Sequence, residues 1–354
     1  MQNEQLLGSK SWRGDNMWVF HFRIDSDTID ICPEKVQGYG HGVRCAALMK
    51  KVQELYGIHC KTIINESKQA KDFVIKNNLE FVFESNVNKF LEENAHNIER
   101  IIFDINYFSL DELKQYKKIA PVFCLAPRGE AKFYADVSFK EVFFYDLEIP
   151  DSCKTLFFEG PKYCVIRDEI LNLRKVNEKE IGKMRICISM GGVDHFNMTK
   201  HVLIALNESY NNYEINVCVG DGYQYLPELM KIPLVHKNRV NVYIGGEHLA
   251  EQLSRSQLAI LGSGVVAYEA AFLGIPSINI GHSQFHLMRQ AEIEKLGFSF
   301  SGGMYNDIPR KKMYSIVNGI LNGKNKWEGM HRQCLKWVDG NGMNRILEVI
   351  RKYS

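Results

Sequence analysis

The residues with the clearest capacity for chemistry form a short glycine-rich segment, residues 38–44 (GYGHGVR), between a strand-like run and a helix-like run. Gly38 and Gly40 permit positive φ and a close approach of a ligand to the backbone. A helix that starts at such a segment presents N–H groups to an anion, and His41 exchanges a proton near neutral pH. The segment therefore predicts chemistry on a phosphorylated ligand, with His41 as the general base.

Two further glycine-rich turns follow strand-like runs in the second half of the chain. Glycines at such a turn let a pyrophosphate approach the backbone. The second turn opens a helix-like run, and Glu269 follows within one to two helical turns, where a carboxylate can chelate the two hydroxyls of a ribose. The residues predicted to bind a nucleotide are Gly191, Gly192, Gly262, Ser263, Gly264, Val265 and Glu269.

The elements that must position these residues alternate between strand and helix patterns, which indicates an α/β fold with mostly parallel sheets. Strand-like runs in the first half lie at 17–24, 59–64, 101–105, 121–125 and 141–144, and a second alternation begins at 185. We expect two Rossmann-like domains facing each other across a cleft, with ligands at the carboxyl ends of the strands. The predicted domains are 1–175 on the catalytic side, 176–337 for the nucleotide, and a helix in 338–354 that crosses back to the first domain.

Composition excludes several functional classes. A net charge of +2 without a basic stripe predicts no nucleic-acid partner. No apolar run reaches the roughly 18 residues of a membrane span, and the first 16 residues lack the apolar core of a signal peptide. Nine cysteines without a C-x-x-C pair fit a reducing compartment, so a cytoplasmic protein without stable membrane insertion is expected.

Two other patterns predict little chemistry. His282 and His286 form an H-x-x-x-H pair, but the sequence offers no obvious third ligand, so no metal site is expected. Ser263 lies in G-S-G, whereas the G-x-S-x-G pattern of serine hydrolases is absent.

The order of the motifs resembles that of the PseG-type nucleotide-sugar hydrolases of pseudaminic acid biosynthesis, which share the GT-B architecture of the glycosyltransferase MurG. The resemblance covers about residues 20–350. It is carried by R-x-D at Arg23 and Asp25, G-x-G-H-x-x-R at 38–44, M-G-G-x-D at 190–194, the glutamate at 269, and D-G-x-G-x-x-R at 339–345.

The family acts on UDP-2,4-diacetamido-2,4,6-trideoxy-β-L-altropyranose. The resemblance implies that His41 activates a water, which attacks the anomeric carbon with inversion and releases UDP. It further implies a monomer that needs neither metal nor cofactor. The substrate-binding residues that it implies are Arg23, Asp25, Gly38, Gly40, Arg44, Asp104 and Tyr107.

The chain departs from the family pattern at the sugar side. The segment between Asp25 and Gly38 is several residues longer than usual, and residues 126–129 (APRG) replace an acidic pair. Both departures suggest a different sugar.

Two alternatives remain open from the sequence. A GT-B glycosyltransferase in surface polysaccharide synthesis would use the same donor site with a hydroxyl acceptor in place of water, and His41 suits either nucleophile. A non-catalytic nucleotide-sugar binding module would keep the fold, although the intact glycine–histidine segment argues against it.

Overall fold

The computed structural model describes residues 16–24, 38–143, 147–174, 184–207, 213–233, 239–308 and 310–353. The chain divides into two compact units. Unit 1 runs to Val165 and resumes at Asn341, and unit 2 spans Ile166–Gly340.

Unit 1 contains a seven-stranded sheet in which the described pairings are all parallel. Its strands are β1 (Met17–Phe22), β2 (His59–Ile64), β3 (Phe81–Phe83), β4 (Ile98–Asp104), β5 (Val122–Leu125), β6 (Val137–Lys140) and β7 (Leu156–Glu159). Its connecting helices are α1 (Gly40–Tyr56), α2 (Lys68–Lys76), α3 (Val87–Asn94) and α4 (Leu110–Lys117). The spatial order of the strands is β3-β2-β1-β4-β5-β6-β7.

Strand β1 shows why this sheet carries helices on both faces. Successive side chains of a strand point to opposite faces, and all six side chains of β1 are buried. Trp18 and Phe20 join a core with residues of α1, whereas Met17 and Val19 join a second core with residues of α4. A strand that is apolar on both faces is typical of a covered parallel sheet.

Unit 2 contains a six-stranded sheet, again parallel in its described pairings. Its helices are α5 (Asp168–Leu173), α6 (Met198–Asn207), α7 (Leu226–Leu229), α8 (Glu247–Ser254), α9 (Val266–Phe272), α10 (Gln284–Lys295), α11 (Arg310–Leu321) and α12 (Lys324–Trp337). Its strands are β8 (Arg185–Ser189), β9 (Glu214–Val219), β10 (Arg239–Ile244), β11 (Leu258–Gly262), β12 (Ser277–Gly281) and β13 (Ser299–Met304), in the order β10-β9-β8-β11-β12-β13.

The last helix, α13 (Gly342–Lys352), packs into the core of unit 1, as the sequence predicts. Its buried apolar residues recur at helical spacing and form one stripe: Met343, Ile346, Leu347 and Ile350. Arg100 donates from Nε to the Ile350 carbonyl at 3.1 Å and from Nη2 to the Tyr353 carbonyl at 2.8 Å. These bonds occupy carbonyls at the end of the helix that would otherwise lack partners.

One predicted strand lies at a different place in the structure. The strand predicted at 141–144 is Val137–Lys140, and residues 141–143 form a bend. Both stretches are rich in residues that favour strands, so local pattern does not separate them. The two units divide at 165/166, and α5 belongs to unit 2, where the Arg174 guanidinium that follows it lies 4.6 Å from the Phe272 ring centroid.

In the described parts of the chain, no helix combines the length and apolar character needed to cross a bilayer.

Candidate active site

Each sheet has a switch point, where the chain stops adding strands on one side and continues on the other. In unit 1 it lies between β1 and β4, and in unit 2 between β8 and β11. Ligands of open α/β sheets bind outside the carboxyl ends of the strands at such points. His41 follows β1 and Asp104 ends β4, while the two predicted nucleotide turns follow β8 and β11. The topology therefore brings together the predicted residues within each unit.

His41 lies in the first turn of α1, which begins at Gly40. Gly40 does not have the positive φ that the sequence suggests, because it is already the first residue of the helix. Gly38 and Gly40 have open space where a Cβ would stand, so room for a close backbone approach is present. Packing instead requires Gly42, where a Cβ would lie 2.8 Å from Cε1 of Phe73.

The imidazole of His41 is held by a buried carboxylate. Its Nδ1 lies 2.7 Å from Oδ1 of Asp104, whose side chain has no exposed surface, whereas 13% of the His41 side chain is exposed. Nε2 of His41 has no hydrogen-bond partner among the described residues. When a carboxylate accepts from Nδ1–H, the neutral ring carries its free lone pair on Nε2. The pair therefore leaves His41 ready to accept a proton at Nε2.

Arg44, one helical turn after His41, joins the same carboxylate. Its Nε donates to Oδ2 of Asp104 at 2.6 Å, and its Nη2 donates to Oδ1 at 2.5 Å. The third guanidinium nitrogen, Nη1, donates to Oε1 of Glu141. Arg44, Asp104 and Glu141 are all buried, so the bidentate pair and the additional carboxylate form a network shielded from water.

The ionisation of this network is fixed by its internal charges. Burial acts to raise the pKa of Asp104, but the charges of Arg44 and His41 and their hydrogen bonds outweigh it and hold the pKa below its ordinary value of 3.8. Burial acts to lower the pKa of Arg44, but Asp104 and Glu141 raise it above its ordinary value. Asp104 is therefore an anion and Arg44 a cation at neutral pH.

Arg23 donates hydrogen bonds to groups that the sequence pattern does not identify. Its Nε donates to Glu84 at 2.5 Å, its Nη2 to Glu112 at 3.0 Å, and its Nη1 to the Tyr107 carbonyl at 3.4 Å. His21, Glu84 and Glu112 offer potential metal ligands within 4.8 Å of one another. Because Arg23 donates to both carboxylates, a cation there would compete with its guanidinium.

The structure describes only part of the segments that are predicted to contact the sugar. The Tyr107 ring lies beside Gly129, which has φ +73° and where a Cβ would stand 3.3 Å from Cδ1 of the tyrosine. The backbone N–H of Arg128 donates to the Asn106 carbonyl at 2.7 Å, so the 126–129 segment is tied to the loop that carries Tyr107. Asp25 and the longer segment at 26–37 lie outside the described residues.

The first nucleotide turn depends on a third glycine. Gly191 has φ +94°, a conformation that favours glycine. Gly220, which follows β9, packs against the turn so tightly that a Cβ there would lie 2.2 Å from the Gly192 carbonyl oxygen. No local sequence pattern identifies Gly220, because only the pairing of β8 with β9 brings it to Gly192.

Asp194, the acidic residue of the same motif, stabilises a helix. Its two oxygens accept the backbone N–H groups of Met198 and Thr199, each at 2.8 Å, at the start of α6. Burial raises the pKa of Asp194 to about 6, although these hydrogen bonds oppose the rise.

The second turn lies beside the first. A Cβ on Gly262 would stand 3.5 Å from the Met190 carbonyl oxygen. The backbone N–H of Ser263 donates to Ile280 at 3.1 Å and that of Gly264 donates to Gly262 at 2.7 Å. The Ser263 hydroxyl is 3.1 Å from the Ile280 carbonyl and 2.8 Å from the Gln290 amide. This hydroxyl therefore takes part in hydrogen bonds with its neighbours and does not have the environment of a nucleophilic serine.

Glu269 forms a bidentate ion pair. Nε and Nη2 of Arg167 donate to its two oxygens at 2.7 and 3.0 Å, and only 3% of the Glu269 side chain is exposed. Burial acts to lower the pKa of Arg167, but the pairing with Glu269 raises it above its ordinary value. Each carboxylate oxygen retains one further lone pair, so the pair leaves Glu269 some capacity to accept hydrogen bonds.

The H-x-x-x-H pair begins after β12 and continues into α10. The two rings lie with centroids 4.2 Å apart, and Nδ1 of His286 is 3.0 Å from the Ser283 hydroxyl. Phe196 stacks on His282 at 4.7 Å. Through these contacts, both histidines belong to an aromatic cluster.

Comparison with known sequences found two distant relatives, and no family model matches the chain. A protein of Methanocaldococcus jannaschii described as uncharacterized is 27% identical over 256 residues, which cover 68% of this chain and 52% of the relative, so this chain spans about half the length of that relative. The spore coat polysaccharide biosynthesis protein SpsG of Bacillus subtilis is 18% identical over 337 residues, covering 89% of this chain and 94% of SpsG.

Solved structures match the chain over nearly its full length. MurG of Acinetobacter baumannii matches with a TM-score of 0.69 and 11% identity, covering 95% of this chain and 99% of MurG. Phytolacca americana UGT2, complexed with UDP-2fluoro-glucose and pterostilbene, matches at 0.62 with 10% identity and coverages of 96% and 99%. UDP-GlcNAc 2-epimerase from Neisseria meningitidis, bound to UDP-GlcNAc, matches at 0.60 with 12% identity and coverages of 94% and 99%. At these identities the likeness establishes the fold, which is GT-B.

Proposed function

We propose that the protein is an enzyme of glycan biosynthesis that hydrolyses a UDP-linked sugar of the diacetamido-trideoxy type, in a pathway to a pseudaminic-like acid or a related surface glycan. The observation that carries the proposal is the His41–Asp104 pair, in which a buried carboxylate holds Nδ1 and leaves Nε2 as the proton acceptor. A base oriented in this way is what activation of a water requires.

In the proposed reaction, Nε2 of His41 takes a proton from water while the water oxygen bonds to the anomeric carbon. The bond from that carbon to the phosphate oxygen breaks, its electron pair leaves with UDP, and the configuration inverts. Asp104 stabilises the imidazolium that forms, and Arg44 fixes Asp104. Because both residues are buried, Asp104 and Arg44 would position His41 and would not contact the sugar directly.

Unit 2 would bind the nucleotide. The N–H groups of Ser263 and Gly264 already have backbone acceptors, so the diphosphate would be bound by N–H groups of the Gly191–Gly192 turn and of Val265. Glu269 would accept the ribose hydroxyls through the lone pairs that Arg167 leaves free. Such donors absorb negative charge on a leaving diphosphate without a metal ion.

A glycosyltransferase is the second candidate. It would use the same base on a hydroxyl of an acceptor, and the likeness in fold to MurG and UGT2 favours it. A non-catalytic module is a weaker candidate, since binding alone gives no reason for a buried carboxylate to orient an imidazole.

Purified protein incubated with UDP-sugars in the absence of an acceptor tests the proposal. Release of UDP in amounts equal to the free sugar formed supports hydrolysis, whereas release only after an acceptor is added refutes it and supports the transferase.

The base is tested with His41→Ala, which should retain UDP affinity and lose turnover by at least ~100-fold. His59→Ala is the matched control, because His59 lies in the same unit with 51% of its side chain exposed. Near-normal turnover of His41→Ala would remove His41 from the mechanism.

A further inference from the structure

The second predicted nucleotide turn of unit 2 is joined to α10, β12 and β13 by one side chain, that of Gln290 in α10. Only 1% of Gln290 is exposed, so its amide needs partners within the protein. One end of the amide lies 2.8 Å from the Ser263 hydroxyl and 2.8 Å from the Gly281 backbone nitrogen. The other end lies 2.7 Å from the Ser301 hydroxyl and 3.2 Å from the Asn279 carbonyl oxygen.

All four contacts are satisfied in one orientation of this amide. Its oxygen then accepts from the Gly281 N–H and from the Ser263 hydroxyl, and its NH2 group donates to the Ser301 hydroxyl and the Asn279 carbonyl. Gly281 admits the amide, because a Cβ at that position would lie 2.8 Å from it. The close contact between α10 and the end of β12 therefore depends on a glycine in the strand and a glutamine in the helix.

The Ser263 hydroxyl is the point at which this contact reaches the turn. The hydroxyl also lies 3.1 Å from the Ile280 carbonyl, and the Ser263 N–H donates to the same carbonyl at 3.1 Å. Ser263 is thus fixed to both β12 and α10, and Gly264 and Val265 follow it directly in the chain. The position of the Val265 N–H, which we propose as a donor to the diphosphate, depends on this anchor.

We propose that Gln290 is a positioning residue that acts through Ser263 and holds the 262–264 turn where the backbone that follows can bind a diphosphate. This inference rests on the nucleotide binding proposed for unit 2. It gives a role in ligand binding to a buried residue of α10 that lies outside both glycine-rich turns.

The variant Gln290→Leu removes the amide and keeps a side chain of similar size. We expect UDP affinity to fall at least ~10-fold, as for the loss of about one charge-assisted hydrogen bond, while uridine affinity changes less than ~2-fold, because uridine has no phosphate to contact the turn. UDP binding is measured by calorimetric titration and uridine binding by ligand-detected NMR. A role in folding alone would not separate the two ligands.

Gln252→Leu is the matched control. Gln252 is also a buried glutamine of unit 2, and its amide oxygen accepts from Asn216 of β9 at 3.2 Å. This variant should lower the urea midpoint of unfolding, as Gln290→Leu does, because each leaves buried polar groups without a partner. It should leave UDP affinity unchanged.

Ser263→Ala tests the same connection from the side of the turn. It removes the hydroxyl and keeps the other contacts of Gln290, so it is the milder variant if Gln290→Leu does not fold. It should lower UDP affinity and spare uridine affinity. Because the two side chains act through one contact, the double variant should lose no more UDP affinity than Gln290→Leu alone.

The inference is overturned if Gln290→Leu binds UDP as the wild type does, or if it loses UDP and uridine affinity equally. Additive losses in the double variant, or unchanged UDP affinity in Ser263→Ala, would also overturn it. If the wild type binds UDP but releases none from UDP-sugars, the proposed hydrolysis fails and the binding comparison still decides the role of Gln290. A wild type that does not bind UDP would overturn both.

Discussion

The variant Asp104→Asn tests the network of His41, Asp104 and Arg44 at its central carboxylate. The carboxylate accepts three hydrogen bonds from charged or polar nitrogens, at 2.7 Å from His41 and at 2.6 and 2.5 Å from Arg44. An asparagine offers one oxygen and turns its NH2 group toward at least one of these donors. Because the site is buried, Arg44 then keeps an incompletely paired charge, which costs about 3 to 5 kcal/mol of stability.

The same change should reduce turnover by at least ~100-fold, since the imidazole loses both its orienting acceptor and the charge that stabilises its protonated form. The pH dependence of stability gives an independent check. The folded-state pKa of Asp104 lies below its ordinary value of 3.8, so its stabilising contribution is present above that value and is lost as the pH falls through the lower folded-state value. The stability difference between wild type and variant should therefore shrink below about pH 4.

The assay is urea unfolding followed by tryptophan fluorescence, to which buried Trp18 of the same unit contributes, at pH 7 and at steps down to pH 3, together with UDP release. Asp111→Asn is the control, because 92% of that side chain is exposed, and its effect should stay within about 0.5 kcal/mol. An Asp104→Asn protein with turnover and stability close to those of the wild type would refute the assignment of Asp104 as the partner that orients His41.

Two further predictions concern unit 2. Gly220→Ala should displace the turn at Gly192 and weaken UDP binding at least ~10-fold, whereas Gly246→Ala, where a Cβ meets open space, should not. The measurement is calorimetric titration with UDP. Equal UDP affinities of the two variants would show that this turn does not bind the nucleotide. Glu269→Ala should lower UDP affinity by at least ~10-fold through the loss of charge-assisted hydrogen bonds. Arg167→Met is its comparison, since an equal loss there would trace the effect to the broken ion pair and not to a ribose contact.

The local sequence pattern was sufficient to predict the fold class. Continuous apolar runs such as Met17–Phe22 and Leu258–Gly262, each followed by a helix, indicate parallel sheets covered on both faces, and the structure confirms them. The pattern was insufficient where neighbouring stretches share strand-forming residues. The strand at Val137–Lys140 was therefore predicted several residues too late, and the short strand at Phe81–Phe83 gave too few residues to be recognised.

The candidate site shows the same division between local and distant information. Residue type identified His41, and the family resemblance drew attention to Arg44 and Asp104. Neither indicated that Asp104, 63 positions after His41, would accept from its Nδ1, nor that Glu141 would share the guanidinium. A buried glutamate within an apolar run carries no local signal of its partner.

The sequence by itself determined the α/β class and the residues able to exchange a proton or approach a phosphate, because these depend on periodicity and on side-chain chemistry. The tertiary structure decided which of them act together. Strand order set β1 beside β4 and β8 beside β11, and so placed Asp104 against His41 and the Gly262 turn against Met190. The pairing of Asp104 with Arg44 then keeps both groups ionised in spite of their burial. Such contacts depend on segments distant in the chain, whose approach is set by the packing of the whole sheet and not by any local pattern.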